Sequence, residues 1–118
     1  MQTVPVVGKA YDLLLWFFPV TARFRRDVRY GVGERLLTTL LDLHGSLTDA
    51  AYGHERGPSL VRAGRLSDRA RLLTRLAHDL GALDHRRYLH AAERLVEIGR
   101  MVGGWRRVDG AKSPSRHP

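Results

Sequence analysis

The stretch at residues 66–83, LSDRARLLTRLAHDLGAL, predicts an amphipathic helix that must bury its apolar side against other segments of the chain. At about 100° per residue it forms a helix with an apolar arc opposite a basic face. The arc contains Leu66, Ala70, Leu73, Leu76, Ala77 and Leu80, and the basic face contains Arg71, Arg75 and His78. Ser67 and Asp68 suit a first turn, and Gly81 suits a left-handed C-terminal cap. The fold class predicted from this stretch is all-α.

Three further amphipathic patterns complete a predicted up-down four-helix bundle. A first helix begins at Pro5 and carries the stripe Val7, Tyr11, Leu14, Leu15 and Phe18. A second covers residues 33–52 and carries Leu36, Leu37, Leu40, Leu43, Leu47 and Ala51, with His44 as a neutral, hydrogen-bonded core histidine. A fourth, capped by Asp84, carries Tyr88, Ala91, Ala92, Leu95, Ile98, Gly99 and Val102.

Glycine and proline mark the expected boundaries. Pro19 is expected to interrupt or kink the first helix, residues 53–59 form a turn, and Gly103 with Gly104 ends the last helix. Residues 1–105 are therefore expected to form one bundle domain, and the basic segment 106–118 a disordered tail.

Three arginines depart from the pattern of the third helix. Arg62, Arg65 and Arg69 project towards its apolar arc. Either they lie at the end of the bundle with their charged heads in water, or Arg69 pairs with a carboxylate across a helix or subunit boundary.

The first helix is apolar on more than one face. Leu13, Trp16 and Phe17 lie off its main stripe, on the side of Lys9. A helix that is apolar nearly all round is usually buried on both sides, and in a small bundle a second subunit can supply that burial. These three residues are the predicted homo-oligomer interface, unless the following loop covers them.

Charge favours acidic partners. The formal net charge is +8 and the pI is about 11.0, which makes nucleic acid the first expected partner and an anionic membrane surface the second. The densest basic cluster, in TARFRRDVRY, has its arginines interleaved with Phe24 and Tyr30; they are Arg23, Arg25, Arg26 and Arg29. This mixture suits phosphate contacts with base stacking, although a basic connector can also be simply solvated.

Motifs for catalysis are missing from the sequence. No phosphate-binding glycine loop, histidine pair at metal spacing or nucleophile elbow is present. The chain has no cysteine, which excludes disulfides, zinc–thiolate sites and thiol nucleophiles. Its longest apolar run, residues 13–18, is far shorter than a membrane span, and the N-terminus does not read as a signal peptide. A cytoplasmic protein without enzymatic activity, metal or cofactor is expected.

Four segments together resemble one family. They are VGKAYDLLLWFFP (7–19), FRRDVRYGVGERL (24–36), RLLTRLAHDLGAL (71–83) and EIGRMVGGW (97–105). They closely resemble the accessory variability determinant (Avd) proteins of diversity-generating retroelements, over roughly residues 6–105. The same broad superfamily includes four-helix proteins encoded within intervening sequences of bacterial large-subunit ribosomal RNA.

The Avd resemblance implies a four-helix bundle assembled as a basic homopentameric barrel. Such a protein binds the retroelement's reverse transcriptase and its template RNA, with DNA as a further possibility, and supports mutagenic complementary-DNA synthesis and retrohoming without catalytic residues of its own. By matching position, the resemblance places Arg71 and Arg75 at basic sites of the third helix and Arg35 in the basic connector. The alternatives are a binder of structured RNA like the intervening-sequence proteins and a purely structural helical oligomer.

Overall fold

The computed structural model describes residues 4–53 and 55–112, which form four long helices and no strand. They are α1 (Pro5–Ala22), α2 (Glu34–Tyr52), α3 (Arg56–Asp79) and α4 (His85–Lys112). A short helical turn (Arg26–Val28) and a π-helical segment (Arg29–Gly33) lead without a break into α2. The helices pack in chain order and α4 closes against α1. The predicted four-helix bundle is confirmed.

The core is a leucine-rich layer between all four helices. Helix α2 supplies four of its fully buried side chains, which are Leu36, Leu40, Leu43 and Leu47. A smaller cluster of Phe24, Val28, Ala77 and Leu83 lies beneath the α1–α2 connector. His44 is only half-buried and lies beside the ring of Tyr11, at 5.9 Å between ring centroids. The expectation of a core histidine was therefore wrong.

Helix α1 buries a different face from the predicted one. Leu13 and Phe17, which were assigned to a subunit interface, are 3% and 0% exposed within the chain itself. Trp16 is half-buried and packs edge-on against Phe17 while stacking near His90 of α4. The exposed apolar residues of α1 are Tyr11, Leu15 and Phe18. Because this helix is apolar nearly all round, periodicity alone could not identify its core side.

Pro19 lies inside α1 and does not end it. A proline in a helix removes one hydrogen bond, to the carbonyl four residues earlier. Here that carbonyl belongs to Leu15, an exposed residue, so water can solvate it. The helix then continues for one turn and ends at Ala22, next to the buried Thr21, whose hydroxyl donates to the Phe18 carbonyl at 3.2 Å.

Helix α3 begins ten residues before the start of the opening pattern, so Ser67 is a buried mid-helix residue and not part of a first turn. Arg62, Arg65 and Arg69 are all exposed, which agrees with the alternative in which their charged heads reach water. The predicted C-terminal cap is confirmed, since Gly81 has φ +77°. The Gly81 N–H donates to the His78 carbonyl, and the Ala82 N–H donates to the Ala77 carbonyl, which is the Schellman pattern.

We expect Gly81→Ala to lower the free energy of unfolding by about 1–2 kcal/mol, because a Cβ opposes the left-handed conformation. Gly45→Ala is the matched control, since Gly45 lies on the exposed side of α2 with nothing near its Cβ position. That change should raise the free energy of unfolding by about 0.5–1 kcal/mol. Urea titration followed by circular dichroism measures both. Equal effects of the two alanines would contradict the assigned cap.

Helix α4 begins as predicted and ends later than predicted. Asp84 accepts a hydrogen bond from the Arg87 N–H at 2.8 Å and also pairs with the Arg87 guanidinium. The backbone hydrogen bond is the main reason that the pKa of Asp84 is lowered, with the guanidinium acting in the same direction. The helix then passes through Gly103 and Gly104 to Lys112.

The prediction of a disordered tail was wrong for residues 106–112, which are helical, and residues 113–118 lie outside the described ranges. Trp105 packs against the core, and the Arg56 guanidinium lies 5.8 Å from its ring centroid. These tertiary contacts offset the low helix propensity of the two glycines.

Candidate nucleic-acid and partner interface

The predicted basic residues lie on three separate parts of the surface. All seven are exposed. Arg23, Arg25, Arg26 and Arg29 cluster in the connector between α1 and α2, Arg71 and Arg75 lie on α3, and Arg35 lies in the first turn of α2. The seven arginines therefore lie on a basic end of the bundle and in two inter-helix grooves.

Arg25 stabilises the basic end of the bundle. Its Nη1 donates to the Leu80 carbonyl at 2.8 Å, and its Nε donates to Asp27 Oδ1 at 2.9 Å. The Leu80 carbonyl lies at the C-terminus of α3, where the helix dipole favours a cation. Arg25 thus ties the connector to the α3–α4 turn, and its guanidinium is less available to a phosphate than those of its neighbours.

The other connector arginines present their charge outward. Arg29 lies 5.3 Å from the ring centroid of Tyr30, which is itself 56% exposed. Arg23 lines a shallow groove with Trp16 and Arg87. Exposed guanidinium groups beside exposed aromatic rings are the side chains that contact phosphates and stack with bases.

A second basic region is the open groove between α3 and α4, which we call the α3–α4 groove. Its volume is about 400 Å³ and its lining includes Arg71, Leu72, Arg75, Tyr88, Ala92 and Val96. Arg75 makes an exposed ion pair with Asp79 at 3.7 Å. The ring of Tyr88 stacks on His78, with 4.5 Å between centroids. Charge, an aromatic ring and apolar surface therefore meet in one groove.

Arg35 lies in a different groove, between α2 and α3. Arg69 lines the same groove, together with the acidic residues Glu34 and Asp42. The α2–α3 groove is a weaker anion site than the α3–α4 groove, because it has two carboxylates beside its two arginines and the α3–α4 groove has one, that of Asp68. Arg69 is thus close to carboxylates across a helix boundary, although no ion pair joins it to them within the described ranges.

An exposed apolar surface, which we call the α1–α2 apolar face, lies on another side of the bundle. It combines Tyr11, Leu15 and Phe18 of α1 with Leu41 of α2, each more than half exposed. Helical spacing places the three α1 residues in one arc, and the contact of Tyr11 with His44 orients that arc towards α2. Exposed apolar side chains grouped in this way are typical of interaction sites.

Within the described part of the chain, no group of three or more His, Cys, Asp or Glu side chains is placed to hold a metal ion. Among the same residues, no helix combines the length and the apolar character needed to cross a bilayer.

Comparison with family models decides the family. The model described as bAvd-like matches residues 5–108, which include all four helices up to the last turn of α4. The chain belongs to the bAvd-like family. This confirms the resemblance to the Avd proteins that the sequence motifs indicated. Comparisons with curated proteins and with solved structures give no significant match.

The bAvd-like family is an accessory, non-catalytic family of diversity-generating retroelements. Its match begins at Pro5 and so includes both the α1–α2 apolar face and the basic end. Sequence reasoning missed the α3–α4 groove because Tyr88 was counted as a core residue. The signal was present in the spacing of Arg71, Arg75 and His78, but the partner helix that completes the groove could not be assigned from that spacing.

Proposed function

We propose that this protein is a non-enzymatic accessory subunit that binds the reverse transcriptase and the template RNA of a diversity-generating retroelement. In this role it supports mutagenic complementary-DNA synthesis and retrohoming by the polymerase. The observation that carries the proposal is the bAvd-like match over residues 5–108. The net charge of +8 and the exposed arginines on the basic end and in the α3–α4 groove support it.

We also propose that the protein acts as a homo-oligomer, and by family resemblance as a pentamer. The α1–α2 apolar face supports a second copy of the chain as its occupant, because it is apolar while the protein is strongly basic elsewhere. Two basic surfaces repel each other, but in a ring the apolar face of one copy can pack head to tail on a different surface of the next copy without that cost. A cyclic assembly repeats every arginine cluster around its axis.

The proposed function is tested by co-purification of the tagged protein with the reverse transcriptase encoded beside it and the transcribed template RNA. We expect all three to be retained together at moderate salt, and the polymerase to make more complementary DNA from this template when the protein is present. Loss of both the polymerase and the RNA would contradict the proposal. Retention of structured ribosomal RNA without any polymerase would favour an intervening-sequence type of protein instead.

A further inference from the structure

The α3–α4 groove has a lining that matches a nucleotide in size and in chemistry. Its volume of about 400 Å³ lies within the range in which proteins hold small organic ligands. Arg71 and Arg75 lie one helical turn apart on α3, so they line the groove together. Tyr88, Ala92 and Val96 present an aromatic ring and apolar surface from α4. Phosphates pair with guanidinium groups, and bases stack on aromatic rings.

Tyr88 is held in place as a rigid stacking surface. It is half-buried and packs against the smaller core cluster that contains Ala77 and Leu83. His78 stacks on the ring at 4.5 Å with an interplanar angle of 30°, which helps to hold the ring in place, and Tyr88 rather than His78 lines the groove. An aromatic surface that is already ordered loses little conformational entropy when a base stacks on it.

We propose that the α3–α4 groove holds an unpaired nucleotide of single-stranded RNA, with its base stacked on Tyr88 and its flanking phosphates paired with Arg71 and Arg75. This inference rests on the proposed function, because it assumes that the protein binds RNA. Asp68 also lines the groove, one turn before Arg71 and two turns before Arg75, so its carboxylate opposes phosphate binding at one end of the groove only. A duplex keeps its bases paired and stacked, so the groove favours single strands over duplex RNA.

The experiment measures binding of a fluorescein-labelled single-stranded 20-nucleotide RNA and of the same sequence as a duplex. Tyr88→Leu removes the ring and keeps an apolar side chain, while Tyr88→Phe keeps the ring. The matched control is Tyr52→Leu, since Tyr52 is an exposed tyrosine at the far end of α2. Stacking contributes about 1–3 kcal/mol per base, so Tyr88→Leu should weaken single-strand binding by about 5- to 150-fold. Duplex affinity and the salt dependence should change little, because the arginines remain.

A second measurement does not depend on a variant that folds. Photocrosslinking of the wild-type protein to RNA containing 5-iodouridine, mapped by mass spectrometry, should label Tyr88 and leave Tyr52 unlabelled. Crosslinks confined to other residues would overturn the proposal, as would equal single-strand affinities of Tyr88→Leu and Tyr52→Leu.

The failure of this inference differs from that of the proposed function. A wild-type protein that binds RNA with steep salt dependence, but is indifferent to the ring of Tyr88, removes the nucleotide site alone. A wild-type protein that binds no RNA removes both. If Tyr88→Leu instead loses the reverse transcriptase and keeps its RNA, the groove is a protein-docking surface and the nucleotide assignment is wrong.

Discussion

Replacing Leu15 and Phe18 together with glutamate is expected to convert an oligomeric protein into a folded monomer. Both side chains are more than half exposed in the single chain, at 59% and 57%, so new charges there remain solvated when the chain folds. In an assembly that covers the α1–α2 apolar face, the same charges would be buried without partners. Such burial costs several kcal/mol per ion, and about 4 kcal/mol already weakens association roughly a thousandfold.

Light scattering and circular dichroism together measure this effect. The control for folding is Phe17→Glu, because Phe17 is adjacent in sequence and 0% exposed. That variant should unfold, since even Phe→Ala in a core costs about 3–5 kcal/mol. The control for the position of the interface is Val108→Glu, because Val108 is an exposed apolar residue near the end of α4, outside the α1–α2 apolar face. A double variant that remains oligomeric would place the interface elsewhere, and a monomeric wild type would remove the oligomer.

The second large effect concerns the arginines of α3. We expect Arg71→Ala with Arg75→Ala to weaken RNA binding strongly, because each subunit of the proposed ring would lose its two proposed phosphate contacts. Each lost contact should reduce the slope of log affinity against log salt by about 0.7–0.9. Stability should hardly change, since both residues are exposed, and an exposed i,i+4 pair such as Arg75 with Asp79 contributes only about 0.3–0.5 kcal/mol.

The matched control is the double variant Arg62→Ala with Arg65→Ala, which removes the same charge from the same helix. Both of these residues are exposed, and neither lines the α3–α4 groove. Fluorescence anisotropy across a salt series distinguishes the two variants. If both lose the same affinity and the same slope, only net charge matters and the groove has no special role.

Secondary structure was predictable where sequence signals agree with one another. Helix α2 has a clean leucine stripe, and Asp84 and Gly81 have side-chain or backbone properties that fit a single position in a helix. The buried face of α1 was predicted wrongly, because six consecutive apolar residues place apolar side chains on more than one face of the helix. The C-terminal boundary of α4 was predicted wrongly, because Trp105 and Arg56, whose contact stabilises this end, are far apart in the sequence and meet only in the bundle.

The candidate site was predictable in its charge and not in its geometry. Arginine content alone indicated a basic surface, and the surface positions of all seven predicted residues agree with that indication. The role of Arg25 could not be predicted, because its acceptor at Leu80 lies 55 residues away. For the same reason, the sequence could not predict that Tyr88 of α4 and Arg71 of α3 line the same groove.

The π-helical segment Arg29–Gly33 keeps two apolar surfaces in phase. Val28 and Leu36 are both buried, at 4% and 0% exposed, yet they lie in different core clusters on either side of it. Eight residues of regular α-helix turn about 800° and would leave these side chains about 80° apart. A π turn accommodates one extra residue, which reduces the separation to about 20°. Deleting a single residue here would therefore restore regular α-helix with the phase almost unchanged, whereas inserting one residue would rotate Val28 and the arginines of the basic end by about 100° relative to Leu36.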